Sequence, residues 1–168
     1  LEACWRHHWQ DAAAQHPDLA AECEALGDQV CSIMTGGDYA LIRSVENFED
    51  HMSFGRQQVR EAGLGAGDVL VAISEGGETS SVIGTIWEAH ERGLRTFFAF
   101  NNPPDILAAH IERSRDVINH PAVVIIDLTS GPMGVAGSTR MQATTAELLV
   151  VGAALDLACA TALTGVLA

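Results

Sequence analysis

The stretch Asp68-Val69-Leu70-Val71-Ala72-Ile73-Ser74, followed by Glu75-Gly76-Gly77-Glu78-Thr79-Ser80-Ser81, decides the fold. Its unbroken apolar run reads as a strand buried on both faces, because a half-exposed strand would alternate. Gly76-Gly77 then forms a loop, and the hydroxyls of Thr79, Ser80 and Ser81 open a helix that runs from Ser80 to Arg92. Gly93 stands where a helix C-cap glycine is expected. Thr96 to Phe100 repeats the apolar strand pattern and stops at Asn101-Asn102-Pro103-Pro104. The strand Asp68–Ser74 is expected at the centre of the sheet.

Further along the chain, the pattern gives a short helix near Ile106–Arg113, strand segments at Asp116–Asn119 and Val123–Leu128, a break at Gly131-Pro132, and a long helix from about Thr139. Upstream, Leu1–Leu26 is helix-like and Gln29–Met34 reads as a buried strand closed by Thr35-Gly36-Gly37. Asp38 could cap a helix with Tyr39, Leu41, Ile42, Val45 and Phe48 on one apolar face. No internal repeat or low-complexity tract divides the chain, so residues 1–168 read as one domain. Two-sided apolar strands alternating with amphipathic helices give an α/β class, with a parallel sheet covered on both faces.

The 168 residues are enough for one core, and 48% apolar with 18% charged residues places the chain among folded globular proteins. Its net charge is -13, and all nine basic residues are Arg. Without Lys there is no Schiff base, no Walker-type phosphate lysine and no lysine general base. The acidic balance argues against nucleic acid or an anionic membrane as partner. Cys4, Cys23, Cys31 and Cys159 show no metal spacing and read as reduced, mostly buried thiols of a cytoplasmic protein. Leu148–Ala168 approaches membrane-span length, but Asp156 sits inside it, at an insertion cost of roughly 2.5–3.5 kcal/mol. A buried C-terminal core helix is the expectation there.

Ligands of open parallel sheets sit at the carboxyl ends of the strands, beside helix N-termini. Three loops qualify. In Ser74–Ser81 the glycine pair admits close backbone approach, and free amides with the helix dipole make a phosphate site that needs no lysine. An ordinary N-capped helix after a tight turn fits the residue types equally well, and Glu75 and Glu78 would repel an anion unless turned away. The second loop, Gly131–Arg140, offers Ser138, Thr139 and Arg140, whose guanidinium could hold a phosphate or carboxylate in bidentate fashion. The third is Thr35-Gly36-Gly37-Asp38, followed by Glu46 and Glu49, which are three apart and would share a helix face. A solvated helix face is the commoner fate of such carboxylates. The adjacent His7 and His8 cannot share a metal from a helix, and Gly63-x-Gly-x-Gly precedes a strand where a dinucleotide fingerprint follows one.

Together these loops resemble the sugar isomerase (SIS) domain, in its N-acetylmuramic acid 6-phosphate etherase and glucokinase regulatory protein branch. The similarity runs from about Ile33 to Gly152 through MTGGDYALIRSVENFED (Met34–Asp50), AISEGGETSSVIG (Ala72–Gly84) and GPMGVAGSTRMQATTAE (Gly131–Glu147). The resemblance implies a three-layer sandwich with a five-stranded, mostly parallel, flavodoxin-like sheet. It also implies a phosphosugar ligand, no cofactor or metal, and a homodimer. It maps the catalytic glutamate of the etherases onto Glu49, and substrate contacts onto Gly36, Gly37, Ser74, Gly76, Gly77, Thr79, Ser80, Ser138, Thr139 and Arg140. Departures from the etherase pattern fall at Gly76, at Glu78 in place of Arg, and at Gln142-Ala143-Thr144 in place of Lys-Ala-Gly. The family's first phosphate loop would precede residue 1, so the chain is expected to be truncated at its N-terminus and perhaps its C-terminus, with Trp5 where a second etherase glutamate would stand. Two functions follow: phosphosugar chemistry by carboxylate acid/base catalysis, as a lyase or an aldose–ketose isomerase, and a non-catalytic sugar-phosphate sensor.

Overall fold

The computed structural model describes residues 30–43, 47–135, 138 and 141–164. In chain order these form a 3-10 turn (Asp38–Leu41), α1 (Met52–Glu61), β1 (Val69–Ile73), α2 (Ser80–Glu91), β2 (Arg95–Phe100), α3 (Pro104–His110), α4 (Glu112–Ile118), β3 (Val123–Asp127) and α5 (Gln142–Thr164). The strands make one parallel sheet in the order β1-β2-β3, with Leu70 opposite Thr96 and Phe98 opposite Ile125. The α/β class with a parallel sheet is as the sequence implies. Among the described strands β2, not β1, is the middle one, because β1 is hydrogen-bonded to β2 alone.

Burial follows the strand period of two in β1, so the expected burial of that strand on both faces does not hold, whereas in β2 Phe98, Ala99 and Phe100 are all buried. Ala72, Phe98, Phe100 and Val123 point to the helix-covered face and form the core with Ile83 and Ile86 of α2, Leu107 of α3 and Val117 of α4. Val69, Val71 and Val124, on the alternate positions, are exposed. Helix α2 ends as Gly93 suggests. Gly93 takes a φ of 80°, its N–H bonds the His90 carbonyl, and the Leu94 N–H bonds the Ala89 carbonyl, which is the Schellman arrangement. Helix α1 crosses α2 at backbone distance. A Cβ on Gly55 would lie 1.9 Å from the Ser81 carbonyl oxygen, and one on Gly84 would lie 2.1 Å from that of Met52. Glycine is therefore required where these two helices touch.

Several expected elements take a different form. Residues 30–34 have no regular structure, and Gly36 and Gly37, both at positive φ, turn the chain away at once. The helix expected from Asp38 is a single 3-10 turn; Asn47, at φ 72°, and an extended His51 stop any continuation, and the regular helix starts only at Met52. Tyr39 and Ile42 do not form a buried face, Ile42 being 84% exposed. Asp116–Asn119 is the end of α4 and not a strand: Ser114 and Val117 are buried three apart while Arg113, Arg115 and Asp116 are exposed. Cys31 is a free, exposed thiol. In α5, Ala143 and Val151 are buried, yet Leu149, Val150 and Leu157 are exposed, so it is not a fully buried core helix. No described helix is long and apolar enough to cross a membrane. The expectations for residues 1–29, including Trp5, His7 and His8, lie outside the described residues.

Candidate functional site

The loop after β1 is fixed from behind. Three consecutive carbonyl oxygens accept hydrogen bonds from side chains of neighbouring elements: Gly76 from Asn102 Nδ2 (3.0 Å), Gly77 from Ser114 Oγ (2.8 Å) and Glu78 from Arg113 Nε (2.7 Å). In a trans peptide the next N–H points opposite to the carbonyl. Holding back the Gly77 and Glu78 carbonyls thus turns the Glu78 and Thr79 amides the other way, at the start of α2. Thr79 is the N-cap residue but its side chain does not cap the helix; its hydroxyl meets Ser74 Oγ at 3.1 Å. Ser74 is buried, and its Oγ also accepts the Gly77 N–H. Gly77, at φ 73°, has no room for a side chain, since a Cβ would lie 2.7 Å from Leu107 Cδ2 and 2.8 Å from Phe100 Cγ. Glu78 is exposed.

Two of the three expected loops converge here. Thr35 Oγ1, beside Gly36 and Gly37, is 2.9 Å from Ser81 Oγ. The Glu49 carbonyl accepts the Ser81 N–H at 2.9 Å, which places residue 49 at the N-terminal turn of α2. Glu49 lies in an exposed turn and not on the expected helix; Glu46 lies outside the described residues. In the remaining loop, Ser138 donates its N–H to the Val135 carbonyl, while Thr139 and Arg140 lie outside the described residues.

A feature missing from the sequence reading lies at the adjoining end of the sheet. Glu147 of α5 is 1% exposed and receives Asn101 Nδ2 at 2.7 Å. Burial, reinforced by the charge of Glu75, pushes its carboxyl up to about 7. Thr144, one turn earlier, donates to Glu75 at 2.6 Å, which ties α5 to the loop after β1. The signal was available: Ala143, Glu147 and Val151 recur at four-residue spacing, so a lone carboxylate sits on the buried face of an apolar helix. A cavity of about 370 Å3 opens beside this pair, lined by Glu75, Asn101, Thr129, Met133 and Ala143 among others. A larger one, about 600 Å3, lies on the helical face around Met52, Trp87 and Arg113, and none of the expected site residues lines it.

Residues 14–97 match the family model of the SIS domain. Among similar proteins, the N-acetylmuramic acid 6-phosphate etherase of Pasteurella multocida is 35% identical over 124 residues, 74% of this chain and 38% of its own length. N-acetylmuramic acid 6-phosphate etherase 1 of Bacillus licheniformis is 30% identical over 136 residues, 79% of this chain and 41% of its own. That of Thermobifida fusca is 33% identical over 126 residues, 75% and 37% respectively. The chain therefore spans about two-fifths of the length of these relatives.

Proposed function

Because this chain belongs to the SIS domain family, we propose that it binds a sugar phosphate, with the phosphate seated on the loop Ser74–Ser81, and acts on it by carboxylate acid/base chemistry. The observation that carries the reading is the pair of restrained carbonyls at Gly77 and Glu78, which turns the Glu78 and Thr79 amides outward at a helix N-terminus that has no side-chain cap. Gly36, Gly37, Thr79 and Ser80 border the seat, and Ser138, Thr139 and Arg140 would close it from the third loop.

Glu49 is the proposed base. It takes the proton from the carbon beside the carbonyl of the ring-opened sugar, leaving an enolate. If the neighbouring carbon carries an ether, the electron pair expels that oxygen and the reaction is an elimination. If it does not, and the deprotonated carbon bears a hydroxyl, that hydroxyl proton passes to the former carbonyl oxygen, Glu49 returns its proton to the former carbonyl carbon, and the result is an aldose–ketose isomerisation. The names of the relatives, all N-acetylmuramic acid 6-phosphate etherases, favour the elimination. A sugar-phosphate sensor without turnover is the second reading. It is favoured by the exposure of Glu49, since a general base gains from exclusion of water. A homodimer belongs to the same proposal, supported by the exposed Leu149, Val150 and Leu157 of α5, and light scattering checks it.

Thermal denaturation with hexose 6-phosphates, free hexoses and inorganic phosphate tests the binding. A ligand at a hundredfold excess over its Kd stabilises by about 2.7 kcal/mol, and the hexose 6-phosphates are expected to stabilise most. Glu49→Gln then separates the two readings. In an enzyme, turnover falls on the order of a hundredfold with little change in binding; in a sensor there is no turnover to lose.

A further inference from the structure

Three buried side-chain atoms among the described residues have no hydrogen-bond partner: Asn101 Oδ1, Ser130 Oγ and Glu147 Oε2. One of the three lines the 370 Å3 cavity, and the other two adjoin its lining residues. Asn101 lines the 370 Å3 cavity, Ser130 stands between its lining residues Thr129 and Gly131, and Glu147 is bonded to Asn101 one helical turn beyond the lining residue Ala143. Buried polar groups without partners are rare in folded proteins, and a cluster of them marks a place built to be satisfied from outside the chain. The lining tells what could do so. Among the described residues the lining has no cationic side chain and includes Glu75, which disfavours an anion there. Asn101 Oδ1 can only accept, whereas Ser130 Oγ and a carboxyl oxygen can exchange hydrogen bonds with a hydroxyl in either sense. Pro103, Pro132, Met133 and Ala143 supply apolar walls of the kind that pack the C–H face of a small ring.

We propose that this cavity is a second subsite, separate from the phosphate seat, that takes the uncharged hydroxyl-bearing body of the ligand, with Asn101, Ser130 and Glu147 as its buried polar contacts. It rests on the sugar-phosphate reading and adds to it the residues that tell a sugar phosphate from phosphate alone. Glu75 belongs to both places, being next to Ser74 in the chain and on the cavity wall, so one ligand can span them.

Calorimetric titration of the chain with a hexose 6-phosphate and, separately, with inorganic phosphate tests this. Asn101→Leu removes the unpartnered acceptor; Ser130→Ala deletes one loop hydroxyl and leaves β2 and α5 intact. The Kd for the hexose 6-phosphate is expected to rise about tenfold in the first variant and about threefold in the second. The Kd for inorganic phosphate should stay within about twofold of wild type in both. The subsite is refuted if both variants bind the sugar phosphate like wild type, or if they weaken both ligands equally. It also fails if wild type binds inorganic phosphate as tightly as the sugar phosphate. If wild type binds neither, the sugar-phosphate reading itself falls.

Discussion

Glu88 and Glu147 are both buried, the first where α1 packs on α2, the second where α5 meets the end of β2. Arginines surround Glu88. Arg60 grips it through both oxygens at 2.8 and 2.7 Å, Arg92 adds a bond at 3.0 Å, and Arg56 approaches at 3.4 Å. The Arg60 hydrogen bonds lead in holding its carboxyl down to about 2. Glu147 has no cation among its described hydrogen-bond partners, and burial raises it to about 7. A carboxylate wrapped in guanidinium groups is satisfied and joins two helices. One that faces an amide near another carboxylate, with an oxygen left over, is not neutralised by the fold in this way.

The largest effect is expected where the first region is broken sterically. Gly84→Ala forces a Cβ to within 2.1 Å of the Met52 carbonyl oxygen, so α1 must move off α2. Chemical denaturation should show a loss of roughly 3 kcal/mol. Gly76→Ala, at the ligand end, meets Glu78 Cγ at 3.5 Å, Glu78 Oε1 at 3.8 Å and Asn102 Nδ2 at 3.9 Å, all ordinary contacts, and should change stability by less than about 1 kcal/mol.

Charge tests come next, and the two glutamates should respond to pH with opposite sign. For Glu88 the folded value lies below the ordinary 4.5, so its contribution is present above 4.5 and disappears as the pH falls towards 2. Glu88→Gln should lower Tm at neutral pH and remove that share of the acid loss. For Glu147 the folded value lies above 4.5, so its contribution is complete below 4.5 and is lost as the pH rises to about 7. Glu147→Gln should match wild type in Tm near pH 4 and exceed it at pH 8. Equal behaviour of the two variants across the range would erase the distinction between the regions. The smallest effect belongs to Glu75→Gln, which removes only the second cause of the Glu147 shift. The midpoint of the Glu147 titration, followed by its side-chain carboxyl resonance, should move below about 7 while staying above 4.5.

The central frame was legible because it depends on local signals that agree. DVLVAIS reads as a strand, the glycine pair after it as a loop and the hydroxyl run Thr79–Ser81 as a helix start, and the chain follows that order although no side chain caps the helix. The segment before β1 was misread because its apolar residues are spaced as on a helix while Gly36, Gly37 and Asn47 take left-handed conformations that interrupt one. Helix α1 escaped notice although Met52, Gly55 and Val59 fall at helical spacing; two of those three contacts depend on a neighbour's backbone, which no hydropathy pattern reveals. Site residues contributed by the loop itself were legible. Asn102, Ser114 and Arg113, which restrain its carbonyls, were not, because they come from other elements and meet it only after folding.

The phosphate seat is tested most directly by following backbone amide resonances while a hexose 6-phosphate is added. The largest shifts are expected at Glu78, Thr79 and Ser80, whose amides precede or open α2, with smaller ones at Asn101 and Ser130 and none at the Trp87 indole on the helical face. Inorganic phosphate should reproduce the first set without the second. Shifts centred on Trp87 and Arg113, with Glu78 to Ser80 unmoved, would contradict the account.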